Sequence, residues 1–165
     1  VSALESPDAV IIVDCSTLDR VGHYKEEIPG FPTGVIDHHS SGVPFGNVRY
    51  IEPEAPSTTF LIQKLMEVAG ETPNQREAEL LLFGLCTDTG FFRHLGSGSG
   101  EVFGAVSRLV EAGAAPNSVF YQMFGNRTFG SRKLLGRLLE RTQPRYNGRL
   151  LVTWETGDDL SEFGK

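Results

Sequence analysis

Five residues of this chain have the chemistry to hold or serve a divalent cation: Asp14, Asp37, His38, His39 and Asp88. Hard carboxylate oxygens mixed with imidazole nitrogens suit Mn2+ or Mg2+ better than an ion that seeks thiolates. Two such ions about 3.5–4 Å apart are the recurring arrangement for phosphoester hydrolysis, because they clamp both the attacking and the leaving oxygen. A second histidine beside a ligating one can contact the phosphate or its transition-state charge. Each residue alone also has a plainer reading. Asp14 could end a strand as a turn or cap residue, and Asp37-His38-His39 could be a polar loop. Asp88 has only its helix-end position to single it out, where the macrodipole disfavours negative charge by roughly 0.3–1 kcal/mol. Their combination, at successive element ends, is what points to a metal.

The elements that must position these residues follow from hydrophobic patterning. Asp8 to Asp14 (DAVIIVD) reads as a strand whose four aliphatic residues suit burial on both faces, the parallel-sheet pattern. Thr33 to Ile36 is a second strand, which places Asp37 to His39 at its carboxyl end, where open α/β sheets bind ligands. Asn47 to Glu52 is a more polar third strand, nearer an edge. Ser57 caps a helix over 58–69 that Gly70 stops. Asn74 and Glu77 form a capping-box signature for a helix to about Cys86, with Asp88 just past its end. Residues 101–112 form an amphipathic helix, Pro116 opens a short one ending near Phe124, and 128–141 form another with leucines on one face. Tyr146 to Arg149 is a turn signal before a strand over 150–154. That strand lacks an evident partner. Residues 158–163 read as a short polar helix or a tail.

The expected fold class is α/β, a mostly parallel sheet with helices on both faces. At 165 residues the chain is of single-domain length. A net charge of −6 argues against a nonspecific nucleic-acid grip or an anionic-membrane patch. It leaves room for a phosphate whose charge a metal meets locally. The two cysteines, Cys15 and Cys86, have neither metal-ligand spacing nor a disulfide framework, so a cytoplasmic location is expected. No apolar stretch approaches the ~20 residues of a membrane span.

The stretches Val13-Asp14-Cys15-Ser16, Asp19-Arg20-Val21-Gly22, Asp37-His38-His39 and Thr87-Asp88-Thr89-Gly90 resemble successive motifs of the DHH phosphoesterase superfamily. Ala55-Pro-Ser-Thr-Thr and Thr89-Gly-Phe-Phe-Arg93 look more narrowly like its nanoRNase/pAp phosphatase branch. The resemblance runs from about Asp8 to Arg141. It implies a metal-dependent hydrolase acting on short oligoribonucleotides or on 3′-phosphoadenosine 5′-phosphate, with Mn2+ or Mg2+, two ions in the intact protein. Other activities of the superfamily share these motifs: single-strand exonuclease, cyclic dinucleotide phosphodiesterase and exopolyphosphatase. A non-catalytic nucleotide-binding remnant is the alternative from another class.

Carried over residue by residue, the resemblance implies Asp14 as a carboxylate bridging two metals, with His38 and Asp88 completing one ion's shell. His39 would face the scissile phosphate, and Asp37 would orient the histidines from behind. The family's first motif, a histidine and two aspartates, has no counterpart here, nor has its C-terminal glycine-histidine signature. The expectation is therefore a partial DHH domain over 1–143, with 144–165 leading into a substrate-binding domain. Such a piece alone should turn over weakly or not at all, holding one ion at three ligands.

Arg93 is a candidate phosphate contact. His23 reads as solvent-facing, and Gly96 to Gly100 as a flexible connector rather than a phosphate loop, since it lacks a P-loop's lysine. Cys15 and Cys86 read as small buried residues. Arg132, Lys133, Arg137 and Arg141 read as a solvated helix face, with RNA as the sharper alternative. The oligomeric state is open.

Overall fold

A computed structural model describes residues 7–163. They group into two compact units that divide between Phe120 and Tyr121. The first unit is an α/β domain built on a parallel sheet of β1 (Val10–Val13), β2 (Thr33–Asp37) and β3 (Val48–Ile51), in the order β1-β2-β3. In register, Ile12 lies beside Val35 and Val13 beside Ile36, while Ile36 pairs with Tyr50 and Asp37 with Ile51. The parallel pairing and the edge position of β3 match the sequence reading. Burial of β1 does not. Ile12 is buried, whereas Ile11 and Val13 are 70% and 51% exposed among the described residues. An aliphatic run predicts two covered faces only when neighbours exist on both.

The helices begin where side chains can satisfy their first N–H groups. Ser57 accepts from the Phe60 N–H at 3.0 Å and starts α1 (Thr58–Val68). Asn74 and Glu77 complete a reciprocal capping box at the start of α2 (Gln75–Asp88). α2 runs two residues beyond the expected end, so Asp88 is its last residue and not a loop residue. α3 (Gly100–Glu111) turns its apolar stripe inward, and α4 (Pro116–Phe124) follows. Phe60, Leu61, Leu85, Val102 and Ala105 form the core where α1, α2 and α3 meet, with Ile36 and Tyr50 of the sheet packed against them. Truncating Leu61 or Leu85, each 1% exposed, costs about 2–5 kcal/mol. This packing clamps the sheet's carboxyl end to both ends of interest, the start of α1 and the finish of α2. Between β1 and β2 the chain takes 3-10 turns over Leu18–Glu26 and Ile28–Gly30 that the sequence reading did not anticipate.

The second unit holds α5 (Phe129–Arg141), a two-stranded antiparallel sheet of β4 (Gln143–Arg145) and β5 (Leu150–Val152), and α6 (Gly157–Phe163). The last strand is therefore not partnerless: it pairs with β4, three residues around Pro144 that the sequence does not mark as a strand. Proline is tolerated there since a two-stranded sheet has only edges. Asn147 and Gly148 both have positive φ, 56° and 81°, and the Arg149 N–H donates to the Tyr146 carbonyl at 3.2 Å. This is the primed turn whose twist suits a hairpin. Two of the four cations on the basic face of α5, Arg137 and Arg141, are ion-paired. Arg141 makes a double contact with buried Asp159 at 2.7 and 3.1 Å, and Arg137 bonds Glu162 at 2.7 Å. The Arg141 guanidinium, with the Thr156 hydroxyl and N–H beside it, holds the Asp159 carboxyl well below its ordinary range. No helix among the described residues is long and apolar enough to cross a membrane.

Candidate metal centre

Four of the five residues converge first: Asp14, Asp37, His38 and His39 each offer a ligand atom, all within 4.8 Å of one another. Asp88 joins through His38. His38 Nε2 lies 3.7 Å from Asp14 Oδ1 and 3.8 Å from Asp88 Oδ2. Ligands about 2.1 Å from a common ion stand roughly 3.0 Å apart when adjacent in an octahedron and about 4.2 Å apart when opposite. The observed separations fall within that span, and they are too long for hydrogen bonds.

Each side chain is aimed by a local device. Asp14 follows β1 directly and takes a left-handed φ of 57°, a conformation that aspartate tolerates better than most residues. Its Oδ1 accepts the Thr58 hydroxyl at 2.8 Å, which ties the end of β1 to the first turn of α1. Asp37 ends β2 fully buried. Its Oδ1 accepts from the backbone N–H of His38 (2.7 Å) and of His39 (3.1 Å), and from His39 Nδ1 (2.7 Å). Burial pushes the Asp37 carboxyl up, but the His39 ring and these N–H donors outweigh it, so it lies below its ordinary value. Its Oδ2 is buried with no protein partner.

Asp37 therefore orients one histidine ring, not both. The ring of His38 is set by Ala55, whose carbonyl oxygen is 3.2 Å from Nδ1. A carbonyl can only accept, so Nδ1 donates to it and Nε2 is the ring nitrogen that faces the two acids. Ala55 is held in turn by its own N–H, which donates to the Glu52 carbonyl at 3.0 Å. Asp88, in the last turn of α2, has its carboxyl raised, chiefly by burial and further by the charge of Asp14, with His38 opposing. Asp14 Oδ1 and Asp88 Oδ2 thus both face His38 Nε2 at distances too long for a hydrogen bond. A cation resolves that arrangement, and the residues present fit one.

Thr58 and Ala55 belong to the Ala55-Pro-Ser-Thr-Thr stretch that the sequence singles out, but the sequence gives neither a role: only Ser57 reads as a cap, and a backbone carbonyl carries no side-chain signal at all. Arg93 sits beyond a turn in which Gly90, Phe91 and Phe92 all have positive φ, 59°, 56° and 68°. Its guanidinium meets His94 Nε2 at 3.3 Å, and no acid of the cluster is among its described partners. His23 lies exposed in the first 3-10 segment. Cys86 is fully buried, and burial pushes its thiol up to about 11. Cys15 is half-buried and donates to the Thr17 carbonyl, so neither cysteine is offered as a thiolate.

The fold and the cluster together define a parallel α/β domain with an acid–imidazole metal site at the carboxyl ends of its strands. No family model matches the chain. It is similar to the cyclic-di-AMP phosphodiesterase PdeA of Listeria monocytogenes serotype 1/2a (strain 10403S), with 33% identity over 135 residues. That match covers 79% of this chain and 20% of the relative, so the chain spans about a fifth of that protein's length. Its fold is also that of an exopolyphosphatase-related protein from Bacteroides fragilis, known from a crystal structure, at a TM-score of 0.88 and 21% identity. There the match takes in 96% of this chain and 48% of the other. The Bacteroides likeness shows the fold, and the Listeria likeness supports the DHH superfamily without lending anything to the narrower nanoRNase/pAp phosphatase branch.

Proposed function

We propose that this chain is the metal-binding part of a DHH-superfamily phosphoesterase that hydrolyses a nucleotide phosphoester. The observation that supports it most is that Asp14 and Asp88 both bring a carboxylate oxygen within 3.8 Å of His38 Nε2, in a cluster where Asp14, Asp37, His38 and His39 each offer a ligand atom. In this reading Asp14, His38 and Asp88 hold one Mn2+ or Mg2+, and Asp14 shares a second ion. A bound ion of this kind makes water a nucleophile near neutral pH and offsets phosphate charge.

The protein's own residues do the rest. His38 donates Nδ1–H to Ala55 and keeps Nε2 as a ligand. Thr58 holds Asp14 in place. His39, its Nδ1 spent on Asp37, has Nε2 left to meet a phosphate oxygen. Arg93 is a further phosphate contact within this reading. The substrate is cytoplasmic and small: a cyclic dinucleotide, as the name of the Listeria relative supports, or the short oligoribonucleotide and 3′-phosphoadenosine 5′-phosphate of the narrower resemblance.

The test is hydrolysis by the protein that carries this chain, with Mn2+, of a cyclic dinucleotide, a linear dinucleotide, adenosine 3′,5′-bisphosphate and polyphosphate. Wild type is expected to cleave at least one nucleotide, and Asp14→Ala and His38→Ala to lose that activity. Equal turnover by wild type and both variants refutes the site. No turnover of any substrate favours a non-catalytic remnant.

A further inference from the structure

A cavity of about 540 Å3 adjoins the cluster and shares His39 with it. That is within the roughly 300–1,000 Å3 of small-ligand sites. Its floor is the face of the sheet that carries Val35 and Arg49, which are register partners on β2 and β3. Its roof is the loop from Ser40 to Gly46, and that loop is pinned at both ends. At the near end the Ser16 hydroxyl donates to the Ser41 carbonyl. There Gly42, with φ of +139°, lies so close that a Cβ would meet Ser16 O at 2.6 Å. At the far end a Cβ on Gly46, whose φ is +86°, would meet Val35 Cγ2 at 2.9 Å. Between the pins Pro44 and Phe45 arch over the space. At both glycines the loop thus approaches its neighbours more closely than a side chain would allow.

Three groups around it have capacity to spare. Arg49 is exposed and has no carboxylate partner among the described residues. Asn47 spends its Oδ1 on the Thr33 N–H at 2.8 Å, which leaves its amide N–H groups to donate. Phe45 is a half-buried aromatic ring in the wall. A cation, an amide donor and a ring beside a phosphate-cleaving centre match a nucleotide better than an inorganic chain, which has no base to stack.

We propose that this cavity is a second subsite, which takes the nucleoside and uncleaved phosphate of a two-phosphate nucleotide whose other phosphate sits at His39. Arg49 grips that phosphate and Phe45 stacks the base. This rests on the phosphoesterase reading above, and it narrows the substrate to dinucleotides over polyphosphate.

The experiment compares wild type, Arg49→Ala and Arg49→Lys in the protein that carries this chain. Calorimetry reads the Kd of a linear 5′-phosphorylated dinucleotide, and kinetics read its kcat/KM against that of bis(4-nitrophenyl) phosphate, which has no second phosphate. Arg49 is on the surface, and a melting curve checks folding. Arg49→Ala is expected to weaken dinucleotide binding roughly tenfold or more and to lower the specificity ratio equally, with Arg49→Lys between. An unchanged Kd and ratio overturn the subsite. If wild type cleaves neither compound the phosphoesterase reading fails, and the Kd comparison still decides whether the cavity binds the dinucleotide.

Discussion

The Nδ1 of His38 lies 3.2 Å from the carbonyl oxygen of Ala55, and that contact decides which ring nitrogen faces the acids. With Nδ1 donating to that carbonyl, Nε2 stands with Asp14 Oδ1 and Asp88 Oδ2 as a third candidate ligand atom. His38→Ala should therefore weaken Mn2+ binding by about 100-fold or more in calorimetry, because a three-ligand site loses its only nitrogen. A ligand at about 100 times its Kd stabilises the fold by about 2.7 kcal/mol, which raises the melting temperature by several degrees. That rise should be present in wild type and absent in His38→Ala. A variant that keeps it would show the ion is bound elsewhere.

Thr58 touches no ion in this scheme, yet its hydroxyl is the hydrogen-bond donor that fixes Asp14. Thr58→Val preserves shape and removes the donor. Partners that orient metal ligands typically account for about 10–100-fold in affinity, so Mn2+ affinity should fall by that factor. Thr58→Ser should restore most of it. Affinity unchanged in Thr58→Val would mean that Asp14 is positioned by its backbone alone.

That Asp14, Asp37, His38, His39 and Asp88 come near one another was legible in sequence because each falls at an element end, and ends are marked by where apolar runs stop. β2, the capping box at Asn74 and the serine cap at Ser57 were readable for the same local reason. What was not legible depends on contacts across the chain. Asp88 was placed past its helix when it closes it, since the hydrophobic run fades two residues before the hydrogen bonding does. β4 was hidden by Pro144, and the exposed flank of β1 by an aliphatic run that implied burial. The pairing of Arg141 with Asp159 spans 18 residues and carries no local signal.

Asp88 is an unfavourable charge in the metal-free protein. It ends α2, where the dipole is negative, and burial together with Asp14 raises its carboxyl. Asp88→Asn should stabilise the metal-free fold by roughly 0.3–1 kcal/mol at neutral pH while abolishing metal binding. The sign with pH follows from the raised value. The folded chain holds this proton more tightly than the unfolded one, whose ordinary value is 3.8. Wild type therefore gains stability as pH falls through the folded value, and the variant's advantage shrinks to nothing below 3.8. Chemical denaturation at several pH values, with chelator present, reads this directly. A variant less stable than wild type at pH 7 would contradict it.

Asp37 should behave in the opposite sense, although it belongs to the same cluster. Its carboxyl is lowered, because the His39 ring and two backbone N–H groups outweigh its burial. Asp37→Asn keeps an oxygen for these donors and removes the charge, so the fold should lose about 1–3 kcal/mol at neutral pH. That loss should persist down to the ordinary carboxylate value of 3.8 and fade as pH falls through the lower folded value. Turnover should fall about 10–100-fold if His39 works on the phosphate, since its Nδ1 proton then faces an amide and not a carboxylate. The two aspartate variants thus have pH slopes of opposite sign. Slopes of the same sign would mean that the cluster titrates as one group, and the division into a ligand acid and an orienting acid would fall with it.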